Sequence, residues 1–449
     1  MIIQKFGGTS VGNPERMSQV LDLIYDNQRK VVVLSAVAGT TNKLVVINEL
    51  ISKNKFDEAQ VKILELRNEY KSFVDNLLQI SKNNIAGHTI CENEINEIEK
   101  LISSDDDQSI KEKIILSKGE LISTQLFVLF SDEVNKPCVL INALDFMVTN
   151  DQNEPNIDLI RERLNDVINN YSGDVCFITQ GYICRNSQGL IDNLQRGGSD
   201  YTATIIGAAL HCKEIQIWTD IDGLHNNDPR VVKETVPVRQ LSYREAAELA
   251  YFGAKILHPT CVIPAEQEGV PVRLKNTFEP EAPGTLISSQ SSGRHITAIA
   301  AKDNITAIKI RSGRMLNAYG FLRKVFEVFE SYHTPIDMIT TSEVSVSLTI
   351  DQVQNIEAIV DQLAQFGDVY VEHNMTIICI VGDELATHTG SPAQILGALS
   401  GIPLRMVSYG GSVNNISILV KSDYKNEALN ALHTEVFVKE EEKSLEVVC

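Results

Sequence analysis

Lys5 stands near the end of a short strand-like stretch, Ile2 to Phe6, which runs into Gly7-Gly8-Thr9-Ser10. Glycines let an anion approach backbone N–H groups, and a lysine beside them is a compact positive charge suited to phosphate. A second group lies at Gln195-Arg196-Gly197-Gly198-Ser199-Asp200, just before an Ala-rich stretch with helical character at 203–210. Free N–H groups at a helix start favour an anion, Ser or Asp there cap them, and a guanidinium such as that of Arg196 matches a carboxylate or phosphate. A capped helix after a tight turn accounts for the same residues without any ligand. Further along, Thr219-Asp220 and Asp222-Gly223 follow an apolar run, Asp228-Pro229-Arg230 adds a charged pair, and Lys255 follows Gly253-Ala254. Each group alone is ordinary loop chemistry. Together they offer Lys5, Arg196 and Lys255 as cations and Glu120, Asp200 and Asp220 as carboxylates. That set suits phosphoryl transfer by positioning and charge neutralisation.

The types and spacing of other residues exclude alternatives. Neither a Walker A sequence nor a kinase-type G-x-G-x-x-G loop nor HExxH occurs. The net charge of -19 argues against general affinity for nucleic acid or anionic membranes. No run of 18 apolar residues is present, so no membrane span is expected. The N-terminus passes straight into a strand pattern, unlike a signal peptide. Eight cysteines occur without a CxxC pair. They read as reduced, mostly buried thiols of a cytoplasmic protein, with no structural metal.

These residues need elements to hold them. Apolar runs at 2–6, 30–36, 139–141, 175–179, 215–218 and 270–274 read as strands. Helical patterns fall between most of them, near 159–168, 202–210 and 243–251. Such alternation builds a mainly parallel sheet sandwiched by helices, which binds ligands beyond the carboxyl ends of its strands. From 43 to 116 the pattern turns helical, with Ile63, Leu66, Tyr70, Phe73 and Leu77 on one face, and predicts an inserted helical lobe. Another helix opens at Ser117-Lys118-Gly119-Glu120. A polar linker at 288–294 ends the α/β part, expected over 1–290. Beyond it, strand and helix patterns repeat as two βαββαβ-like α+β units, 300–374 and 375–449; one larger α+β domain is the alternative.

Four segments, in order, resemble the signatures of the aspartate kinases of the amino-acid kinase superfamily. They are Lys5 to Ser10, Gln195 to Asp200, Trp218-Thr219-Asp220 and Phe252-Gly253-Ala254-Lys255-Ile256-Leu257-His258-Pro259. Ile339-Thr340-Thr341-Ser342-Glu343-Val344-Ser345-Val346-Ser347-Leu348 resembles the first ACT domain of lysine-sensitive, monofunctional members. The resemblance covers essentially the whole chain. It implies phosphoryl transfer from MgATP to the β-carboxylate of L-aspartate, giving 4-phospho-L-aspartate, at the head of lysine, threonine and methionine synthesis. It also implies Lys5 with Gly7 and Gly8 at the phosphates, and Asp200 orienting Lys5. Arg196, Glu120, Ser199, Thr41, Tyr182 and Ser35 would surround the substrate. Thr219, Asp220, His225, Arg230 and Lys255 would hold the nucleotide, with Mg²⁺ carried mainly by its phosphates. Gln195 stands where the family commonly has glycine, and His225 where it often has tyrosine. For the effector, expected to be lysine, the resemblance points to Met315, Asn317, Gly320, Leu322, Asp337, Ser342, Glu343 and Val344, with Asn317 in place of a histidine. A homodimer or tetramer through the ACT domains is implied. The alternatives are a superfamily kinase for glutamate, acetylglutamate or UMP, and a non-catalytic amino-acid sensor.

Overall fold

A computed structural model describes residues 1–194, 197–253, 257–315 and 319–439. The chain divides into two compact units, Met1–Leu224 with Ile256–Gln290, and His225–Lys255 with Ser291–Cys449. In chain order the first unit holds β1 (Ile2–Phe6), α1 (Pro14–Ile24), β2 (Lys30–Leu34), α2 (Thr40–Ser52), α3 (Phe56–Leu77), α4 (Ser81–Ile102) and α5 (Gln108–Glu133). It continues with β3 (Val139–Leu140), α6 (Ala143–Phe146), α7 (Ile157–Ile168), β4 (Cys176–Gln180), β5 (Ile183–Arg185), β6 (Ile191–Asn193), α8 (Gly198–Ala209) and β7 (Glu214–Thr219). The second unit takes β8 (Gln240–Ser242) and α9 (Tyr243–Tyr251); the first resumes with α10 (Pro259–Gln267), β9 (Val272–Asn276) and β10 (Thr285–Ser288).

Within the first unit the sheet order is β3-β4-β2-β1-β7-β9-β10. Its pairings are parallel except for β10 on β9. Strand β2 is buried along its whole length, as a strand covered on both faces requires. Because β1 lies between β2 and β7, Phe6 stands opposite both Leu34 and Trp218, and Leu34 stands opposite Gln180. The turns that follow all four strands therefore gather at one carboxyl edge.

The helical lobe is α2 to α4 packed on α5. Its inward face holds Ile63, Leu66, Tyr70, Leu77, Ile95 and Ile98, all at most 3% exposed; Phe73 is only partly buried. Helix α5 runs from this lobe into the sheet's covering layer and carries Glu120. It is long and apolar enough by composition to cross a membrane, yet 72% of that stretch is buried inside the protein, as befits a core helix.

The second unit continues with β11 (Ala298–Arg311), α11 (Phe321–Ser331), β12 (Ile339–Thr341), β13 (Ser345–Ile350), α12 (Ile356–Leu363), β14 (Asp368–Val381), α13 (Ser391–Ala398), β15 (Leu404–Tyr409), β16 (Asn415–Lys421) and α14 (Lys425–His433). One antiparallel sheet of six strands, β12-β13-β11-β14-β16-β15, serves both repeats. The first half of β11 pairs with the second half of β14 (Ala298 opposite Val381), and the second half of β11 with the first half of β14 (Arg311 opposite Asp368). The register shifts between Lys302 and Ala307. Two hydrophobic cores result, one around Ile308, Phe329, Val346 and Leu363, the other around Ile378, Ile395, Ile418 and Leu429. The join read at 374/375 falls inside β14, and the second repeat draws a strand from before the first.

Candidate active site

Lys5 leaves the penultimate position of β1 with its side chain 12% exposed, and its Nζ lies 2.7 Å from Asp200 Oδ1. Asp200 sits in the first turn of α8, whose N-cap is Gly197 at φ +81°. No side chain caps this helix. The expectation that Ser199 or Asp200 would cap it is not met: the N-cap is a left-handed glycine, and the Asp200 carboxylate pairs with Lys5. The turn after β1 packs tightly on the turn after β2: a Cβ on Gly8 would lie 2.9 Å from the Ala36 carbonyl oxygen. Residues 8–12 also have G-x-S-x-G spacing, but Ser10 is buried and its Oγ is 2.9 Å from Thr277 Oγ1, so it is no exposed nucleophile.

Beside this pair lies a cavity of about 340 Å³, lined by Gly8, Ser35, Thr41, Glu120, Tyr182 and Ser199 among others. Six of the expected residues therefore come together. Ala36, Val37, Ala38, Gly39 and Asn42, none of them among the expected site residues, line the same cavity. The signal for them is the small-residue turn that follows β2 at the carboxyl edge of the sheet. A larger cavity of about 400 Å³, around Asn150, Arg163 and Arg185, contains none of the expected residues.

Glu120 is the most perturbed group in the site. The Ala36 N–H donates to its Oε1 at 3.3 Å, while Oε2 is buried with no hydrogen-bond partner among the described residues. Burial pushes its carboxyl up to about 8, against the opposing pull of the Ala36 N–H and of Lys5. Tyr182 faces it at φ +68°, an unusual conformation for a non-glycine residue. Its N–H donates to Thr202 Oγ1 at 2.9 Å. Burial and the nearby Glu120 carboxylate push its hydroxyl up to about 12.

Gly198 makes room for this ring, since a Cβ there would lie 2.3 Å from Tyr182 Cδ2. Gly198→Ala is expected to displace Tyr182 and raise the KM for the acceptor substrate by about tenfold, a penalty of ~1–3 kcal/mol for overpacking. Steady-state kinetics checks this; an unchanged KM would remove Tyr182 from the site.

Thr219 and Asp220 close β7 at the same sheet edge, and Thr219 Oγ1 donates to Asp220 Oδ1 at 3.1 Å. Trp218 stacks on Phe6 at 5.5 Å, with Lys275 Nζ 4.9 Å from the indole ring centre. His225 and Arg230 belong to the second unit. His225 Nδ1 is 2.9 Å from Thr235 Oγ1, and the exposed Arg230 guanidinium donates to both oxygens of Asp228 at 2.9 and 2.8 Å. Arg196 and Lys255 lie outside the described residues, as does Asn317.

Of the expected effector residues, Gly320 caps α11 at φ +77° and Leu322 follows in its first turn. Met315 packs against the first regulatory core. Ser342 Oγ is 2.8 Å from Ser345 Oγ, and Glu343 and Val344 are exposed beside it. Asp337 is different: its side chain is 3% exposed and its Oδ1 is 2.6 Å from Lys302 Nζ. Burial raises its carboxyl, and Lys302 opposes that rise.

The profile of the amino acid kinase family matches residues 1–276. Over 97% of the chain, the sequence is 33% identical to chloroplastic aspartokinase 3 of Arabidopsis thaliana and 31% identical to lysine-sensitive aspartokinase 3 of Escherichia coli, covering 81% and 99% of those proteins. The chain belongs to the amino acid kinase family, among the aspartokinases. This aspartokinase also matches an ACT domain profile over 378–436. Its fold is similar to that of E. coli aspartokinase III in complex with aspartate and ADP, with a TM-score of 0.83, 32% identity and coverage of 97% and 100% of the two chains. A second E. coli structure, in complex with lysine and aspartate, gives a TM-score of 0.82 at 32% identity, covering 97% and 99%.

Proposed function

We infer that this aspartokinase transfers the γ-phosphoryl group of ATP to the β-carboxylate of L-aspartate. The observation that carries this reading is the Lys5–Asp200 pair beside a cavity that holds one buried, half-partnered carboxylate, Glu120. A carboxylic acceptor with a pKa near ~3.9 is already an anion at neutral pH, so no general base is needed. A β-carboxylate oxygen forms the new P–O bond, the bond from the γ-phosphorus to the bridging oxygen breaks, and its electron pair leaves with ADP. The protein brings two anions together and neutralises charge growing on the phosphoryl group. Lys5 and the Gly7–Gly8 main chain contact that group, and Asp200 orients Lys5. Glu120 receives the substrate ammonium, Arg196 its α-carboxylate, and Ser35, Thr41, Tyr182 and Ser199 complete the pocket. Thr219, Asp220, His225, Arg230 and Lys255 hold the nucleotide.

Among the described residues no cluster of three His, Cys, Asp or Glu side chains suits a metal. Mg²⁺ would be carried mainly by the phosphates, with Asp200 the carboxylate beside them, and would supply charge neutralisation there. A coupled ADP-release assay with aspartate, glutamate, acetylglutamate and UMP as acceptors tests the reading. Aspartate is expected to be the efficient acceptor, and release only with another acceptor would overturn it.

The ACT segment supports feedback inhibition by lysine, in a homodimer or tetramer formed through these domains. The Gly320 turn at the start of α11 suits an α-carboxylate, and Asp337, Ser342 and Glu343 suit ammonium groups. Titration with lysine, threonine and S-adenosylmethionine is expected to show inhibition by lysine. A flat response to all three would sink the sensing role.

A further inference from the structure

Ser10 ends the turn that carries Gly7 and Gly8, and Thr277 is the first residue after β9. Their hydroxyls share a hydrogen bond of 2.9 Å across 267 residues of chain. Thr277 is 5% exposed and Ser10 1%, so the bond is shut off from water. Among the described residues, neither hydroxyl has another hydrogen-bond partner. Removing either one leaves the other buried and unsatisfied.

Strand order gives this contact its meaning. β7 lies between β1 and β9. The bond from Ser10 to Thr277 therefore spans the end of β7, where Thr219 and Asp220 stand. The parallel register of β7 on β9 ends with Thr219 opposite Asn276. One residue further on, the Thr277 N–H donates to the Thr219 carbonyl at 2.8 Å. Thr277 thus holds one turn through its main chain and the other through its side chain. Its own segment is fixed, since the Phe278 N–H donates to Asn276 Oδ1 at 2.9 Å. A second tie joins the same segments: the Arg16 guanidinium lies 5.2 Å from the centre of the Phe278 ring and donates to the Thr9 carbonyl at 2.8 Å.

We propose that Thr277 is a positioning residue for the nucleotide. Its N–H fixes the turn of Thr219 and Asp220, and its hydroxyl, through Ser10, fixes the turn of Lys5, Gly7 and Gly8. The spacing between these two turns decides whether one nucleotide meets both, and small misplacements of a reacting group are costly. Neither Ser10 nor Thr277 lines the cavity assigned to the acceptor, so ATP feels the loss of the bond more than aspartate does. The proposal rests on the nucleotide contacts given above and adds the residue that spaces them.

Thr277→Val in the full-length enzyme tests it, because the side-chain shape and the N–H stay while the hydroxyl is lost. The kcat/KM for ATP is expected to fall about tenfold, mainly through a higher KM for ATP, while the KM for aspartate stays within about threefold. Thr277→Ser keeps the hydroxyl and should remain within about twofold of wild type. Ser10→Ala removes the same bond from the other side, so the double variant should be no more than about twofold worse than the poorer single one. Wild-type ATP kinetics in Thr277→Val would overturn the proposal. So would a Thr277→Ser enzyme as impaired as Thr277→Val, or equal rises in both KM values, the mark of a merely structural role. Should thermal melting show that Thr277→Val does not fold, Ser10→Ala decides by the same ATP measurement. If the wild-type enzyme phosphorylates a different acceptor, the aspartate reading fails by itself, and ATP kinetics with that acceptor still decide the role of Thr277.

Discussion

Lys5→Met is expected to lower kcat by about 10³-fold, corresponding to ~4 kcal/mol of lost transition-state stabilisation. The side chain is held at 2.7 Å by Asp200 and is 12% exposed, so its charge acts in a site with little solvent screening. Methionine keeps most of the volume and removes the charge. The substitution also leaves the Asp200 carboxylate, 16% exposed, without its ion-pair partner. Some loss of thermal stability therefore accompanies the loss of activity, and circular dichroism should show an intact fold. Single-turnover kinetics at saturating ATP and aspartate separate the chemical step from binding. Activity within tenfold of wild type would remove Lys5 from the transferring group. Asp200→Asn provides the companion test, because it spoils the orientation of Lys5 while leaving the lysine charged.

Glu120 should impose a pH dependence on aspartate binding. Burial raises its carboxyl from 4.5 to about 8, so at neutral pH the empty site holds the protonated acid. A substrate ammonium binds the carboxylate form, so binding below that value must release a proton. The kcat/KM for aspartate is then expected to rise by about tenfold per pH unit up to about pH 8 and to level off above it. Glu120→Gln should flatten that profile and lower kcat/KM by about 10²-fold, the cost of removing one charged partner of a buried pair. The sign for stability is opposite. The native chain keeps a proton that the unfolded chain has lost between pH 4.5 and about 8, so this group's contribution to stability falls as pH rises across that window. Calorimetry in buffers of different ionisation enthalpy measures the released proton. A flat profile from pH 6.5 to 8.5, with no proton release, would show that Glu120 does not receive the ammonium.

Much of the α/β unit was legible because its signals are local. A fully buried parallel strand needs an unbroken apolar run, which Val31-Val32-Val33-Leu34 supplies, and a phosphate-binding turn needs glycine beside a cation, which Lys5-Phe6-Gly7-Gly8 supplies. Helix α9 also lies where its periodicity placed it, at Tyr243–Tyr251. The start of α8 differs from what good capping residues suggest: Gly197 at positive φ is the N-cap, and the Asp200 carboxylate pairs with Lys5. Asp337 shows the same limit. Its neighbours Lys302 and Tyr251 are 35 and 86 residues away in the chain. Only the folded sheet brings them to one carboxylate.

The sequence by itself determined the α/β and α+β classes, the glycine turns, the family and the identity of the charged groups. All of these depend on residue type and on spacings of a few residues. The tertiary structure decided the Lys5–Asp200 contact, the burial that raises Glu120, and the shared use of β11 and β14 by two regulatory cores. It alone decided these because a carboxylate's protonation and a strand's partner depend on solvent exclusion and on register between distant segments, which no local pattern encodes.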